Sequence, residues 1–126
     1  MRLVEDVDDV LRAKAEQAMA CLRAQAFEQL YGAFGYALAL GREPVAALRD
    51  DAGPAIAELH RRDPDWRERA VETLIARHGD AATGILATVE CCLASGPANG
   101  FSLLQLVVTD SEDGTWLTLE GVGDGR

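Results

Sequence analysis

The sequence predicts an α+β fold that is mainly α, with an irregular bundle of four to five helices followed by a C-terminal antiparallel β-hairpin. Apolar residues recur every three or four positions through most of residues 5–95, which is the period of an amphipathic helix. Beyond Ser95, residues 101–122 change to the alternation of strands. A chain of 126 residues has the size of one domain, so we predict a single domain over 1–126.

The first predicted element is a long amphipathic helix that Asp6 caps through its carboxylate. Its predicted buried face comprises Val7, Val10, Leu11, Ala15, Ala18, Leu22, Ala26 and Leu30. Aromatic residues then crowd around Gly32 and Gly35, which predicts a bend or a junction between two helices. Gly41 is a suitable C-terminal cap, and Pro44 suits the first turn of the next helix.

Three further helices complete the predicted bundle. The first begins at Pro44, and the Gly53-Pro54 pair is expected to break it. Asp63 and Pro64 have the order of an N-cap and a first helical residue, which predicts a helix that Gly79 ends. Asp80 would cap the last helix, whose apolar run through Leu93 predicts the most buried helix of the chain.

The predicted hairpin pairs residues 101–109 with residues 115–122 across an acidic turn. If Leu104, Leu106 and Val108 face the helices, alternation directs Phe101, Leu103 and Val107 outward with no obvious cover. An uncovered apolar strand face is typical of a surface that a partner or a second copy covers.

Charge is the most informative property for function. The net charge is -9, and no lysine or arginine lies between Arg77 and Arg126. The acidic residues of that stretch are Asp80, Glu90, Asp110, Glu112, Asp113, Glu120 and Asp124. Such a stretch repels nucleic acids and anionic membranes, and it attracts basic proteins. We therefore predict a basic protein partner and no nucleic-acid or membrane partner.

Location and chemistry are predicted mainly by what the sequence lacks. No apolar run near Glu5 and Asp6 has the length of a signal peptide or a membrane span, and three cysteines cannot all pair, so we predict a cytoplasmic protein with reduced thiols. The histidines and cysteines lack the paired spacing of zinc ligands. We predict no metal, no cofactor and no catalytic residue.

These observations predict an acidic protein-interaction module, most concretely an immunity-type inhibitor or a chaperone of a basic protein. The predicted binding residues are Asp110, Glu112, Asp113, Glu120, Phe101, Leu103 and Trp116. One alternative is a small-molecule-binding or enzymatic helical domain, with a pocket among Phe27, Tyr31, Phe34, Tyr36 and Trp66 that His60 completes. Another is a self-associating subunit that forms a homodimer through the C-terminal hairpin.

Overall fold

In a computed structural model, which describes residues 1–78 and 84–123, three α-helices pack against a five-stranded antiparallel sheet. The helices are α1 (Asp8–Arg23), α2 (Phe27–Phe34) and α3 (Pro44–Arg62). The strands are β1 (Arg2–Leu3), β2 (Val71–Arg77), β3 (Ile85–Leu93), β4 (Ser102–Ser111) and β5 (Gly114–Val122), in the spatial order β1-β5-β4-β3-β2. Short 3₁₀ turns lie at Ala37–Ala39 and Trp66–Glu68. Within the described residues, no helix combines the length and apolar composition needed to cross a membrane.

The predicted bundle of four to five helices is wrong, because the described chain contains no α-helix after residue 62. Asp63 and Pro64 lead only into the 3₁₀ turn at Trp66–Glu68, and the segment predicted to continue as a helix is β2. The segment predicted as the most buried helix is β3. The predicted stop at Gly79 and cap at Asp80 lie outside the described residues.

The strand conformation of these segments has a physical reason. In β2 the partly buried residues Val71, Thr73 and Ile75 alternate with exposed ones, and all three are β-branched, which favours a strand. In β3, which lies between β2 and β4, Ala87, Val89, Cys91 and Leu93 are buried, and Thr88 and Glu90 between them are only partly exposed. A segment without a fully exposed residue fits an interior strand as well as a buried helix, and the helical interpretation was wrong.

The helical part also differs in detail from the prediction. α1 buries Leu11, Ala15, Ala18 and Leu22, as its period predicts, but it ends at Arg23. Gln25 then takes the left-handed conformation at φ 53°, and a separate α2 begins at Phe27. Asp6 does not cap α1, since its carboxylate accepts a hydrogen bond from Arg77. The expected break at Gly53-Pro54 is absent, because α3 continues through both residues.

The sheet has an inner face toward the helices and an outer face on the opposite side. Leu104, Leu106 and Val108 of β4 lie on the inner face and are fully buried. The strand register determines which residues lie on the outer face. It comprises Glu72, Leu74 and Ala76 of β2, Thr88, Glu90 and Cys92 of β3, Ser102, Gln105, Val107 and Thr109 of β4, and Trp116, Thr118 and Gly121 of β5.

A β-bulge at the start of β4 changes the predicted orientation of two residues. The register shifts between Cys91 and Cys92, so that Leu103 is an extra residue of β4. Phe101 and Leu103 therefore turn toward the helices and are only 7% and 2% exposed. The prediction that these two side chains face outward is wrong, because strict alternation does not continue through a bulge.

An ion pair between the buried Asp63 and the partly exposed Arg69 holds the connection between α3 and β2. Arg69 donates to both carboxylate oxygens of Asp63, at 2.9 Å and 3.2 Å, and Asp63 is almost completely buried. The Asp63 carboxylate also accepts the backbone N–H of Asp65. The hydrogen bond from Arg69, more than any other contact, lowers the pKa of Asp63, so the pair stays ionised at neutral pH.

Candidate functional site

An open groove of about 720 Å³ lies where the middle of α3 and the loop after Tyr36 pass the end of β5, and it extends onto the outer face of the sheet. Its lining residues are Tyr36, Leu38, Asp50, Asp51, Pro54, Thr88, Val89, Glu90, Gln105, Glu120, Gly121 and Val122. Four of these residues are acidic, and none is lysine or arginine. The groove therefore combines apolar walls with a concentration of negative charge.

The floor of the groove is a cross-strand row of the outer face. The register aligns Leu74 with Glu90, Glu90 with Gln105, and Gln105 with Gly121. A Cβ atom at Gly121 would lie 2.6 Å from Oε1 of Gln105, so glycine is needed for the glutamine side chain to lie flat there. Leu74 is exposed and extends the row to the β2 edge of the sheet.

Glu90 is held in place on this floor by neighbouring donors. Its Oε1 accepts a hydrogen bond from the Cys92 thiol at 3.2 Å, and its Oε2 accepts one from the Ser102 hydroxyl at 3.3 Å. The amide of Gln105 donates in turn to the Ser102 oxygen. Glu90 is thus a partly buried and oriented carboxylate.

Glu120 reaches the rim of the groove because of a second bulge. The register passes from Leu106–Leu119 to Gln105–Gly121, which leaves Glu120 without a partner on β4. A bulge bends its strand and redirects the extra side chain. Glu120 is exposed there, beside Gly121 of the floor.

The opposite wall is braced by three polar side chains. The Tyr36 hydroxyl donates to Asp51 at 2.5 Å, and Arg42 donates to both oxygens of the same carboxylate at 3.0 Å and 2.9 Å. Arg42, and after it Tyr36, lowers the pKa of Asp51, whereas burial and the bond to Asp51 raise the pKa of Tyr36. Asp51 is therefore ionised but paired within the chain.

The loop after Tyr36 exposes two leucines beside the groove. Leu38 is 44% exposed and lines the groove, and Leu40 is 80% exposed. Leu40 also takes the left-handed conformation, at φ 53°, which is unfavourable for a residue with a Cβ atom. Arg42 holds the loop closed by donating to the carbonyl oxygens of Leu38 and Ala39.

We expect Leu40→Gly to increase the free energy of unfolding by about 1 kcal/mol, because glycine relieves the left-handed strain and little buried area is lost. The measurement is urea denaturation followed by circular dichroism. Leu38→Gly is the matched control, since Leu38 has no positive φ and should be destabilised by glycine. A clear loss of stability in Leu40→Gly would contradict the assignment of strain.

Three groove carboxylates have no cationic partner in the described part of the chain. The ion pairs there involve Asp6, Asp8, Asp51, Glu58 and Asp63 as the acids. Asp50, Glu90 and Glu120 belong to none of these pairs. The groove accordingly carries uncompensated negative charge, from Asp50 and Glu120 at its sides and from Glu90 on its floor.

The structure separates the residues that the sequence predicts for binding. Glu120 lies at the groove, whereas Asp110, Glu112 and Asp113 are exposed at the opposite end of the β4–β5 hairpin, about 20 Å away along the strand. Trp116 is 37% exposed on the outer face, between Arg2 and Thr109. Phe101 and Leu103 are buried and cannot contribute a contact surface.

Sequence reasoning missed most of the groove. Glu90 is the single acidic residue of the apolar run 85–93, and that isolation is the one signal that could have identified it. Asp50 and Asp51, which lie within α3, carried no signal of a site. Tyr36 was predicted only for the alternative aromatic pocket, whose other members do not line the groove.

The aromatic cluster of the alternative interpretation is mostly part of the core. Phe27, Phe34 and Trp66 are buried, and the void beside Trp66 measures about 10 Å³, the space of one water molecule at most. Tyr36 alone among these aromatics lines the large groove. His60 is exposed on α3, in an open groove of about 510 Å³ that Phe27 and Arg49 also line.

The cysteines are free, and two of them are poor nucleophiles. Burial raises the pKa of Cys91 to about 11 and, together with the hydrogen bond to Glu90, raises the pKa of Cys92 to about 12. Both thiols are therefore protonated at neutral pH, and the thiolate is the reactive form. In residues 1–78 and 84–123, no group of three or more His, Cys, Asp or Glu side chains is arranged to hold a metal ion.

The predicted homodimer through the hairpin would need an unpaired strand edge there. The outer edge of β5 is covered by β1 at Thr115 and Trp116, by Met1 at Leu117, and by a bridge from Tyr36 to Leu119. β4 lies inside the sheet, and β2 forms the other edge. The hairpin thus offers a second copy little backbone to pair with.

Comparison of the chain with protein-family models, with curated proteins and with solved structures finds no match in any of the three.

Proposed function

We propose that this protein is an acidic interaction module that binds a basic protein, most concretely as an immunity-type inhibitor or a chaperone. The observation that carries the proposal is the groove, which has apolar walls and three carboxylates without a cationic partner in the described chain. A surface of this kind favours a ligand that is both basic and partly apolar.

The charge distribution supports binding in two stages. A net charge of -9 attracts a basic protein over several ångströms and increases the association rate at low salt. Asp110, Glu112 and Asp113 project at the end of the hairpin, where solvent screens them and each single contact contributes little affinity. They act mainly on the rate of encounter, whereas the groove acts on the lifetime of the complex.

The outer face supplies apolar contact area. Trp116 is exposed between these two acidic regions, and Leu74 is exposed at the β2 end of the groove floor. Tryptophan is among the residues that dominate binding energy when a partner covers them. A partner that spans from the hairpin turn to the groove would cover about 20 Å of sheet, which is within the size of a standard interface.

The test of this function is charge reversal at the hairpin turn. We expect the triple variant Asp110→Lys, Glu112→Lys and Asp113→Lys to associate about tenfold more slowly with its basic partner and to lose much of its salt dependence, because steering charge is removed at the contact surface. The partner is first captured from native lysate on the wild-type protein, eluted with salt and identified by mass spectrometry. Association is then measured by surface plasmon resonance at several salt concentrations.

The matched control reverses three exposed acids elsewhere, Glu5, Glu16 and Glu28, which changes the net charge equally. Equal slowing by both triple variants would assign the effect to net charge alone. Unchanged kinetics in the hairpin variant, or capture of no basic protein, would contradict the proposed function.

A further inference from the structure

We propose that the groove binds an extended segment of the partner that carries an arginine next to an apolar residue, with the guanidinium on Glu90 and the apolar side chain on Leu38 and Leu40. The inference rests on the proposed function and names the part of the basic partner that enters the site. It follows from the shape of the groove, the charge of its floor, the exposed Leu38 that lines it and the exposed Leu40 in the same loop.

Glu90 provides the reason for a cation on the floor. It is partly buried, and its hydrogen bonds come from the neutral groups of Cys92 and Ser102, so nothing in the described chain neutralises its charge. A partly buried carboxylate without a countercharge is unfavourable in the free protein, and a cation from a ligand removes that cost. The neighbouring donors already orient the carboxylate, so a ligand need not order it.

Arginine fits this position better than lysine. Its planar guanidinium can bond a carboxylate through two parallel N–H groups, and it is more weakly hydrated than an ammonium. It therefore enters a groove with apolar walls at a lower desolvation cost. Asp50 on α3 and Glu120 at the bulge lie at the sides of the same groove, where they attract a second basic residue of the segment.

Leu38 and Leu40 explain why an apolar residue should flank the arginine. Both leucines are exposed, and Leu40 keeps a strained backbone while Arg42 pins the loop around it. The loop is thus held with its apolar side chains in solvent, which favours contact with a ligand. An extended segment places alternate side chains on opposite sides, so one neighbour of the arginine can reach this wall while the arginine points to the floor.

The experiment selects ligands without knowledge of the natural partner. A phage library of random peptides is enriched on the wild-type protein at low salt, and individual peptides are then measured by fluorescence anisotropy. We expect a consensus of arginine beside leucine, isoleucine, valine or phenylalanine. Glu90→Gln should weaken these peptides by at least about tenfold, because it removes the charge and keeps the shape. Replacement of the peptide arginine by lysine should weaken binding by a smaller factor.

Glu72→Gln is the matched control, since Glu72 lies on the same outer face but in the neighbouring row, and it should change affinity less than about twofold. Leu40→Gly, which should be at least as stable as the wild type, is a second variant that should weaken the same peptides. Circular dichroism verifies that each variant folds.

The outcomes separate the two proposals. If basic peptides bind Glu90→Gln as tightly as the wild type, the groove assignment is overturned. If the same peptides no longer bind the hairpin lysine variant, the proposed function still stands. Equal effects of Glu90→Gln and Glu72→Gln would also overturn the assignment. Enrichment of peptides without basic residues, or of none, would overturn the groove assignment, whereas the proposed function is overturned only by the lysate capture and the hairpin kinetics.

Discussion

Trp66→Ala is expected to lower the free energy of unfolding by about 3–5 kcal/mol, the range measured for truncation of large buried aromatics. Trp66 is completely buried in the short connection between α3 and β2, and Arg67 lies over its ring at 4.6 Å. Its removal would leave a cavity joined to the void that Phe101 and Leu103 already line. Small domains have a total stability of about 5–15 kcal/mol, so urea denaturation should detect a large shift of the midpoint.

Trp116→Ala is the matched control, because Trp116 is 37% exposed on the outer face and should contribute about 1 kcal/mol or less to folding. If Trp66→Ala does not fold, Trp66→Phe is measured in its place. It retains most of the apolar volume and removes the Trp66 Nε1–H group, which has no hydrogen-bond partner in the described chain. Equal stability of Trp66→Ala and Trp116→Ala would contradict the packing of Trp66 in the core.

The second large effect is expected at Gly96, in the connection between β3 and β4. Gly96 has φ 85°, and a Cβ atom there would lie 2.6 Å from Nε of Arg69 and 2.8 Å from Oδ2 of Asp63. Gly96→Ala would therefore combine left-handed strain with disruption of the ion pair between Asp63 and Arg69. We expect it to lower the free energy of unfolding by about 3 kcal/mol, from strain and overpacking together.

Gly100→Ala isolates the backbone contribution of this change. Gly100 has nearly the same conformation, at φ 87°, but nothing lies within 4 Å of its added Cβ atom. It should therefore lose only about 1 kcal/mol in the same chemical denaturation experiment. If the two alanine variants were equally stable, Gly96 would not be in contact with the Asp63–Arg69 pair.

The sequence predicted local features better than it predicted how segments assemble. The burial of Leu11, Ala15 and Ala18 followed from helical spacing, and the presence of strands within residues 101–122 followed from alternation. The segment 85–93 could not be assigned in this way, because none of its residues is fully exposed and its pairing with β2 and β4 is not visible in the local sequence. The helix predicted after Asp63 failed because pairing with β3 outweighed the capping signal.

The groove was unpredictable for a related reason. Its floor is assembled from β3, β4 and β5, and its wall from α3 and the loop after Tyr36, so no local pattern contains it. Both bulges depend on the register between strands, and they decide that Leu103 is buried and that Glu120 reaches the rim. The excess of acidic residues could be predicted from composition. Their concentration around Glu90 could not.

The pairing of β1 with β5 has a consequence for the order of folding. The Met1 ammonium donates to the carbonyl oxygen of Leu117, a contact between residues 116 positions apart in the chain. Contacts between such distant residues close long loops and form late, whereas helices and neighbouring strands form early. During synthesis on the ribosome, β1 must therefore wait for β5 to emerge before the two strands can pair. The edge of β5 is then the last part of the sheet to close.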